Sequence, residues 1–288
     1  MLRRDFTTVR IDLHCHSLCS DGTDPPETVA ARAAGSGVEL FCLTDHDTLN
    51  GHAATVEPHW PSMRVLRGME LSCAERGRTV HLLLLGVGEG QGRTRLEETV
   101  TVLQMRRRER IVEICARFRR WNITLDPETI IAETHGGTPG RPHVAAALVK
   151  AGVCRSVREA FDRFLRDGGP ADVPSPRLTV EEGVELGRAA GARVSLAHPH
   201  TVGHPMVVRA MLERTREAGL EGIEAYYGAY ATRERFAWAA LAEELDLVVT
   251  GGSDYHGRTT PEIPGLGIDF PAALSDRLIT WLGDALPA

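Results

Sequence analysis

Short runs of apolar, β-prone residues alternate with amphipathic helical stretches along most of this chain, and that alternation limits the fold more than any other feature. The β-type runs fall at residues 9–13, 39–43, 64–68, 79–85, 193–197, 222–225 and 245–250. Helical patterns occupy 26–34, 180–190, 205–218 and 232–244, several closing at Gly35, Gly191 or Gly219, where a left-handed C-cap is expected. Strands that alternate with helices predict an α/β protein, and seven strand candidates predict a barrel or a barrel-like sheet.

The alternation stops between residues 91 and 177, where the patterns are helical at 94–121, 127–133, 141–151 and 156–167. A chain of 288 residues is long enough for one barrel plus an insertion. The expected organisation is therefore a barrel from 1–90 and 178–288, with an inserted helical cap at 91–177 and a Gly/Pro-rich linker at 167–177 leading back. Charge divides along the same line. The insert carries 16 Lys and Arg against 11 Asp and Glu, a formal +5, while the remainder carries −11 of the net −6. Most arginines of the runs 106–108 and 117–120 are expected on solvated helix faces.

Composition excludes several classes. The longest strongly apolar stretch, 80–87, contains His81 and is far shorter than the roughly 20 residues a bilayer span needs, so no membrane association is expected. No apolar segment follows Arg3 and Arg4, as a secretory signal requires, and the six cysteines are scattered, so the expected location is the cytoplasm. The negative net charge argues against long duplex nucleic acid as a partner. Oligomeric state is left open.

The twelve histidines are more informative, because several stand beside carboxylates where predicted strands end. The first strand leads into Asp12-Leu13-His14-Cys15-His16-Ser17, and period-two alternation puts Asp12, His14 and His16 on one face, with Leu13 and Cys15 on the other. Asp21 follows in a polar loop. The second strand ends in Thr44-Asp45-His46-Asp47, the third in Gly68-Met69-Glu70, the fifth in Ala197-His198-Pro199-His200 and the seventh in Gly252-Ser253-Asp254-Tyr255-His256, while the fourth contributes His81 from its early part. In a parallel barrel the C-terminal strand ends open onto one face, where such residues can meet. Clustered imidazoles and carboxylates without a thiolate suit Zn, Mn or Fe better than Mg or Ca alone.

Taken together, His14-x-His16-Ser17 with Ser20-Asp21-Gly22, Thr44-Asp45-His46-Asp47, Glu70, Ala197-His198-Pro199 and Ser253-Asp254-x-His256 resemble the motifs of the polymerase and histidinol phosphatase (PHP) superfamily of metal-dependent phosphoesterases. The insert, with Gly140-Arg141-Pro142-His143, is similar in position to the cap of family members that act on nucleotides. The resemblance implies a distorted TIM-like (β/α)7 barrel holding two or three divalent ions. It also implies a ligand set: His14, His16, Glu70 and Asp254 for one ion, Glu70 as a bridge with His81 and His198 for a second, and Asp21, His46 and His256 for a third. Asp12 and Asp45 are expected to orient the ligating imidazoles.

Clustered divalent ions would acidify water and neutralise phosphate oxygens, so the expected reaction is phosphoester hydrolysis by a metal-bound hydroxide without a covalent intermediate. Arg141, at a helix start and with a planar guanidinium fork, is the expected phosphate clamp, and His143 is expected to contact the phosphate or protonate the leaving oxygen. The resemblance points to a small phosphorylated substrate: a nucleoside 3',5'-bisphosphate, a mononucleotide or the 5' end of short RNA. Histidinol phosphate is an alternative substrate. A metal-stabilised nucleotide-binding module without turnover is an alternative of a different class.

Overall fold

The computed structural model describes residues 8–134, 137–174 and 177–286. In chain order, β1 (Thr8–Asp12) leads to α1 (Pro26–Gly35), β2 (Leu40–Leu43), α2 (His52–Val56) and the long pair β3 (Arg64–Glu75) and β4 (Arg78–Leu85). A helical stretch follows: α3 (Gln91–Phe118), α4 (Pro127–Ala132), α5 (Arg141–Lys150) and α6 (Val157–Ala160), the last continued by a π-helical turn at Phe161–Leu165. The chain returns through β5 (Leu178–Thr179), α7 (Val180–Ala189), β6 (Arg193–Leu196), α8 (Pro205–Thr215), β7 (Gly222–Tyr227), α9 (Thr232–Glu244), β8 (Val248–Gly252), β9 (Ile268–Pro271) and α10 (Ala272–Leu282).

Among the described residues the strands form one sheet in the order β8-β7-β6-β4-β3-β2-β1-β9, with β5 beside β3. The sheet nearly closes into a barrel. Past the end of β8, the Asp254 N–H donates to the His14 carbonyl at 2.7 Å, and Cys15 pairs with Tyr255 in a parallel bridge. Gly252 makes this approach possible, because a Cβ there would lie 2.4 Å from the His14 Cβ. The architecture is thus the expected α/β barrel with helices set over it.

Two features depart from an all-parallel barrel of seven strands. β3 runs on past Gly68 to Glu75 and turns at Arg76 and Gly77, both in the left-handed region, into an antiparallel β4. Two residues with positive φ match the twist of a tight hairpin, although Arg-Gly lacks the usual Asn or Asp at the first position. β4 is also antiparallel to β6, and the unexpected β9 closes the other edge antiparallel to β1. The left-handed positions after helices are Gly191 and Gly219, as expected, but after α1 the position is Gly37 rather than Gly35, which still belongs to the helix.

Buried apolar side chains form a large cluster around the barrel and a separate one from Ile111 to Val173. α3 serves both: Leu96, Val100 and Leu103 pack into the barrel cluster, while Ile111, Ile114 and Phe118 pack with α4 to α6. The segment expected as a linker is anchored instead, since Ala171 and Val173 are buried in that second cluster; Ser175 and Pro176 lie outside the described residues. Among the described residues no helix is long and apolar enough to cross a membrane.

Candidate metal and phosphate site

The nine residues expected to ligate metal all reach one end of the barrel. His14 and His16 follow β1, Asp21 lies in the next loop, His46 follows β2, His198 follows β6, and Asp254 and His256 follow β8. Glu70 sits inside β3 rather than at its end, at the point where His46 bridges to the strand. His81 comes from the start of β4, and it reaches this face because β4 runs opposite to its neighbours.

Glu70 is the centre of the cluster. Its two oxygens lie 3.4 Å from His14 Nε2, 3.2 Å from His16 Nε2, 2.9 Å from His46 Nδ1, 2.9 Å from His81 Nδ1 and 2.9 Å from His198 Nε2. Asp254 Oδ1 stands 3.3 Å from both His14 Nε2 and His16 Nε2, and Asp21 is 3.6 Å from His46 Nε2 and 3.3 Å from His256 Nε2. Four overlapping groups have ligand atoms within 4.8 Å of one another: His16, Asp21, His46 and His256; His14, Glu70 and His198; His14, His16 and Asp254; and His46, Glu70 and His81.

The loops that carry these ligands are held by the two aspartates expected to orient imidazoles. Asp12 acts on backbone instead, accepting the N–H groups of Ser253 at 2.9 Å and Gly267 at 2.7 Å, which ties the ends of β1 and β8 together. Asp45 accepts from the Ser17 N–H at 2.7 Å, the Ser17 hydroxyl at 2.6 Å and the Ser20 hydroxyl at 2.6 Å, and reaches His16 only through Ser20. Leu13 turns away into the barrel cluster, and Cys15 into a third apolar cluster with Phe41 and Tyr255.

Burial alone would raise the carboxyl groups and lower the imidazoles. Against it, His46, His81 and His14 hold Glu70 well below the usual carboxylate range, and His46 and His256 do the same for Asp21. In the opposite sense, Asp21 and Asp254 push His256 up to about 10 despite its burial, whereas burial dominates at His81 and takes it down to about 4. The cluster therefore demands positive charge. His14 Nε2, His16 Nε2, Asp21 Oδ1, His46 Nδ1 and Glu70 Oε2 are buried and without a hydrogen-bond partner, and such lone pairs are the atoms that bound divalent cations would satisfy. The residues fit a metal cluster.

Above it lies a cavity of about 180 Å³ that runs from Asp21, His46 and His81 to Arg107, Arg110, Arg141 and Arg177. Arg141 is at the first turn of α5, as expected, and its guanidinium donates to Asp167 Oδ1 at 2.7 Å and to the Leu165 carbonyl at 2.9 Å. The Nδ1 of His143 accepts the Gly140 N–H at 3.1 Å and so caps α5, while the same ring lies beside the Ser20 backbone and the Asp21 carboxylate. Three arginines escaped the sequence reading. Arg107 and Arg110 share the inward face of α3, where the apolar stripe Leu96, Val100, Leu103, Ile111, Ile114 is broken by charge; that break was the available signal. Arg106, Arg108, Arg119 and Arg120 are solvated, as expected. Burial, with Arg141 nearby, lowers Arg110 to about 10. Glu224 was also missed, although a carboxylate inside the otherwise apolar strand Gly222–Tyr227 is conspicuous; it touches His14.

Comparison with known proteins agrees with this geometry. The PHP domain matches residues 12–133. Over 91% of this chain and 99% of its own length, the phosphoribosyl 1,2-cyclic phosphate 1,2-diphosphodiesterase of Eggerthella lenta is 31% identical. The chain belongs to the PHP family. A 5'-3' exoribonuclease of Haemophilus influenzae is 29% identical over 86% of this chain and 90% of that protein, and a 3',5'-nucleoside bisphosphate phosphatase of Chromobacterium violaceum is 29% identical over 85% and 87%. Among solved structures, an amidohydrolase from Chromobacterium violaceum with bound sulfate and no metal superposes with a TM-score of 0.85 at 27% identity, covering 94% of this chain and 96% of that one. A Bifidobacterium adolescentis protein assigned as a metal-dependent phosphoesterase does so with a TM-score of 0.80 at 25% identity, covering 94% and 95%. The PHP member described here is a metal-dependent phosphoesterase, which sets aside the reading of a module without turnover.

Proposed function

We propose that this PHP enzyme removes a terminal phosphate from a nucleotide that carries a second phosphate, a nucleoside 3',5'-bisphosphate being the best fit. The observation that carries the reading is the single cavity with ligand-type residues at one end and four arginines at the other. The scissile phosphate belongs at the His/carboxylate end and the second anion at the arginines. A substrate with a cationic side chain, such as histidinol phosphate, would place positive charge beside those guanidinium groups and is disfavoured. Hydrolysis at the 5' end of short RNA remains the second reading, favoured by the Haemophilus relative's activity.

His14, His16, Glu70 and Asp254 would hold one divalent ion, Glu70, His81 and His198 a second, and Asp21, His46 and His256 a third; manganese, zinc and iron suit these donors. When bound, such ions supply positive charge to phosphate oxygens and make water acidic near neutral pH. The chain's own residues do the rest. Arg107, fixed by Asp47 Oδ2 at 2.6 Å, and Arg110, Arg141 and Arg177 bind and orient the anion, while the helices between 91 and 177 act as a cap that narrows solvent access. The six free cysteines, five of them buried, fit a reducing cytoplasm.

A substrate panel with the native metal retained tests the reading. Hydrolysis of adenosine 3',5'-bisphosphate, followed by product chromatography, should be faster than that of AMP, histidinol phosphate and a ribose 1,2-cyclic phosphate. Faster shortening of 5'-phosphorylated oligoribonucleotides than of any mononucleotide would replace it with the RNA reading.

A further inference from the structure

β7 supplies none of the expected metal ligands, yet two of its side chains hold the ligand cluster. Glu224 is fully buried. His14 Nδ1 donates to its two oxygens at 3.0 and 3.2 Å, and the His198 backbone N–H donates to Oε2 at 2.7 Å. The Tyr227 hydroxyl donates to Asp254 Oδ2 at 2.8 Å. In a regular strand, residues three apart face opposite sides. β7 escapes that rule because its register against β8 slips between Glu224 and Tyr226, where Ala225 is the extra residue. Such a bulge re-aims the side chains that follow it.

The consequences differ for the two imidazoles. With its Nδ1 proton committed to Glu224, His14 presents a bare Nε2, and that atom is the one 3.4 Å from Glu70 and 3.3 Å from Asp254, buried without a hydrogen-bond partner. His198 has φ +24° and ψ 66°, a backbone conformation unfavourable for a residue with a side chain. The Glu224 bond to its N–H stabilises that conformation, which aims His198 Nε2 at Glu70, 2.9 Å away. Among the described residues, His14 is the only ionic partner of Glu224.

We infer that Glu224 is a positioning residue for metal binding: it sets the His14 tautomer and the His198 backbone so that both Nε2 atoms converge with Glu70, and Tyr227 fixes Asp254 in the same way. The inference rests on the reading of His14, His198 and Asp254 as metal ligands. A carboxylate behind a ligating imidazole fixes its orientation and raises its basicity, and losing such a partner weakens metal affinity about 10- to 100-fold.

The test strips the full-length protein of metal and titrates it with Mn²⁺ and Zn²⁺ against a chromogenic chelator. Glu224→Gln should bind about 10- to 100-fold more weakly than wild type, and Tyr227→Phe more weakly by a smaller factor. A His14→Ala control separates the two levels of the argument: if it binds metal like wild type, the ligand reading fails. If His14→Ala loses metal while Glu224→Gln keeps wild-type affinity, only the positioning role is overturned. Should Glu224→Gln not fold, imidazole ¹⁵N shifts of the zinc-loaded wild type decide, since the proposal requires the His14 proton on Nδ1 and the metal on Nε2, and the reverse arrangement overturns it.

Discussion

The two ends of the cavity are both crowded with buried charge, but they leave opposite kinds of atom unsatisfied. At the barrel end the partnerless atoms are ring nitrogens and carboxylate oxygens of His14, His16, Asp21, His46 and Glu70. At the arginine end they are the Nε donors of Arg110 and Arg177, beside one acceptor, Asp47 Oδ2, which faces the Arg107 guanidinium at 2.6 Å. Each buried polar atom without a partner carries a desolvation cost, so the first set calls for a cation and the second for an anion. Counter-charges lie behind both: Glu70 among five imidazoles, and Asp47, Asp167 and Asp172 behind the arginines. A phosphorylated substrate over bound metal would satisfy both ends at once. The difference between the ends makes the site directional.

The largest effect should come from removing the centre of the cationic demand. Glu70→Gln is expected to lose bound metal, measured by elemental analysis, and to reduce phosphate release by at least about 1,000-fold, because metal-supplied charge is worth several kcal/mol in such reactions. Full metal content in Glu70→Gln would break the contrast between the two ends. At the other end, Arg110→Ala should leave metal content unchanged and raise KM for a nucleoside 3',5'-bisphosphate by about 10- to 100-fold, the worth of a charge-assisted hydrogen bond. Its effect on a nucleoside monophosphate should be much smaller. Arg141→Ala should follow the same pattern, since Asp167 engages its guanidinium at 2.7 Å just as Asp172 engages Arg110. Equal KM increases for both substrates would count against a second-anion site.

A smaller effect concerns pH and the metal-free protein. His256 is raised from 6.5 to about 10 in the fold, so the stability it contributes is fully present below pH 6.5 and is lost as pH rises through about 10. Glu70 is lowered from 4.5, so its contribution is present above pH 4.5 and is lost as pH falls toward its lowered value. Burial lowers His81 from 6.5 to about 4, so its contribution is lost as pH falls below 6.5. Thermal unfolding of the metal-free protein should therefore show a maximum Tm near pH 6.5 and a decline toward pH 10, while metal-loaded protein holds its Tm over that alkaline range. A metal-free Tm that rises from pH 7 to 10 would mean that the imidazole-carboxylate contacts are not what holds this end together.

The region of the site was legible because strand ends in an α/β barrel converge whatever their separation in sequence, while the choice of particular ligand-type residues within each cluster came from the resemblance to the PHP motifs. His81 was legible for a different reason than expected. A residue early in a parallel strand would lie at the far end of the barrel, and only the hairpin at Arg76-Gly77 brings it round. The arginines of α3 were half-legible: the interruption of an apolar stripe marks Arg107 and Arg110 as inward, but which barrel residues they would meet depends on where the helix docks. Arg177 carried a weak signal, a single charge in a loop, whereas Glu224 stands out in its apolar strand but the strand says nothing of which neighbours it meets. At His143 a helix start offers two uses for an imidazole, capping and catalysis; the sequence named only the second, and the capping bond from the Gly140 N–H appears only in the structure.

By itself, the sequence determined the α/β alternation, the helical insert, its excess of positive charge and the gathering of histidines and carboxylates where strands end. These depend on local periodicity and residue chemistry, which a linear string preserves. Only the tertiary structure decided which strand runs backwards, that Glu70 would sit among five imidazoles, that a bulge would aim both Glu224 and Tyr227 at the same cluster, and that four arginines would share one cavity with it. Those outcomes rest on contacts between residues far apart in sequence, where strand direction, register and helix docking set distances that no local pattern encodes.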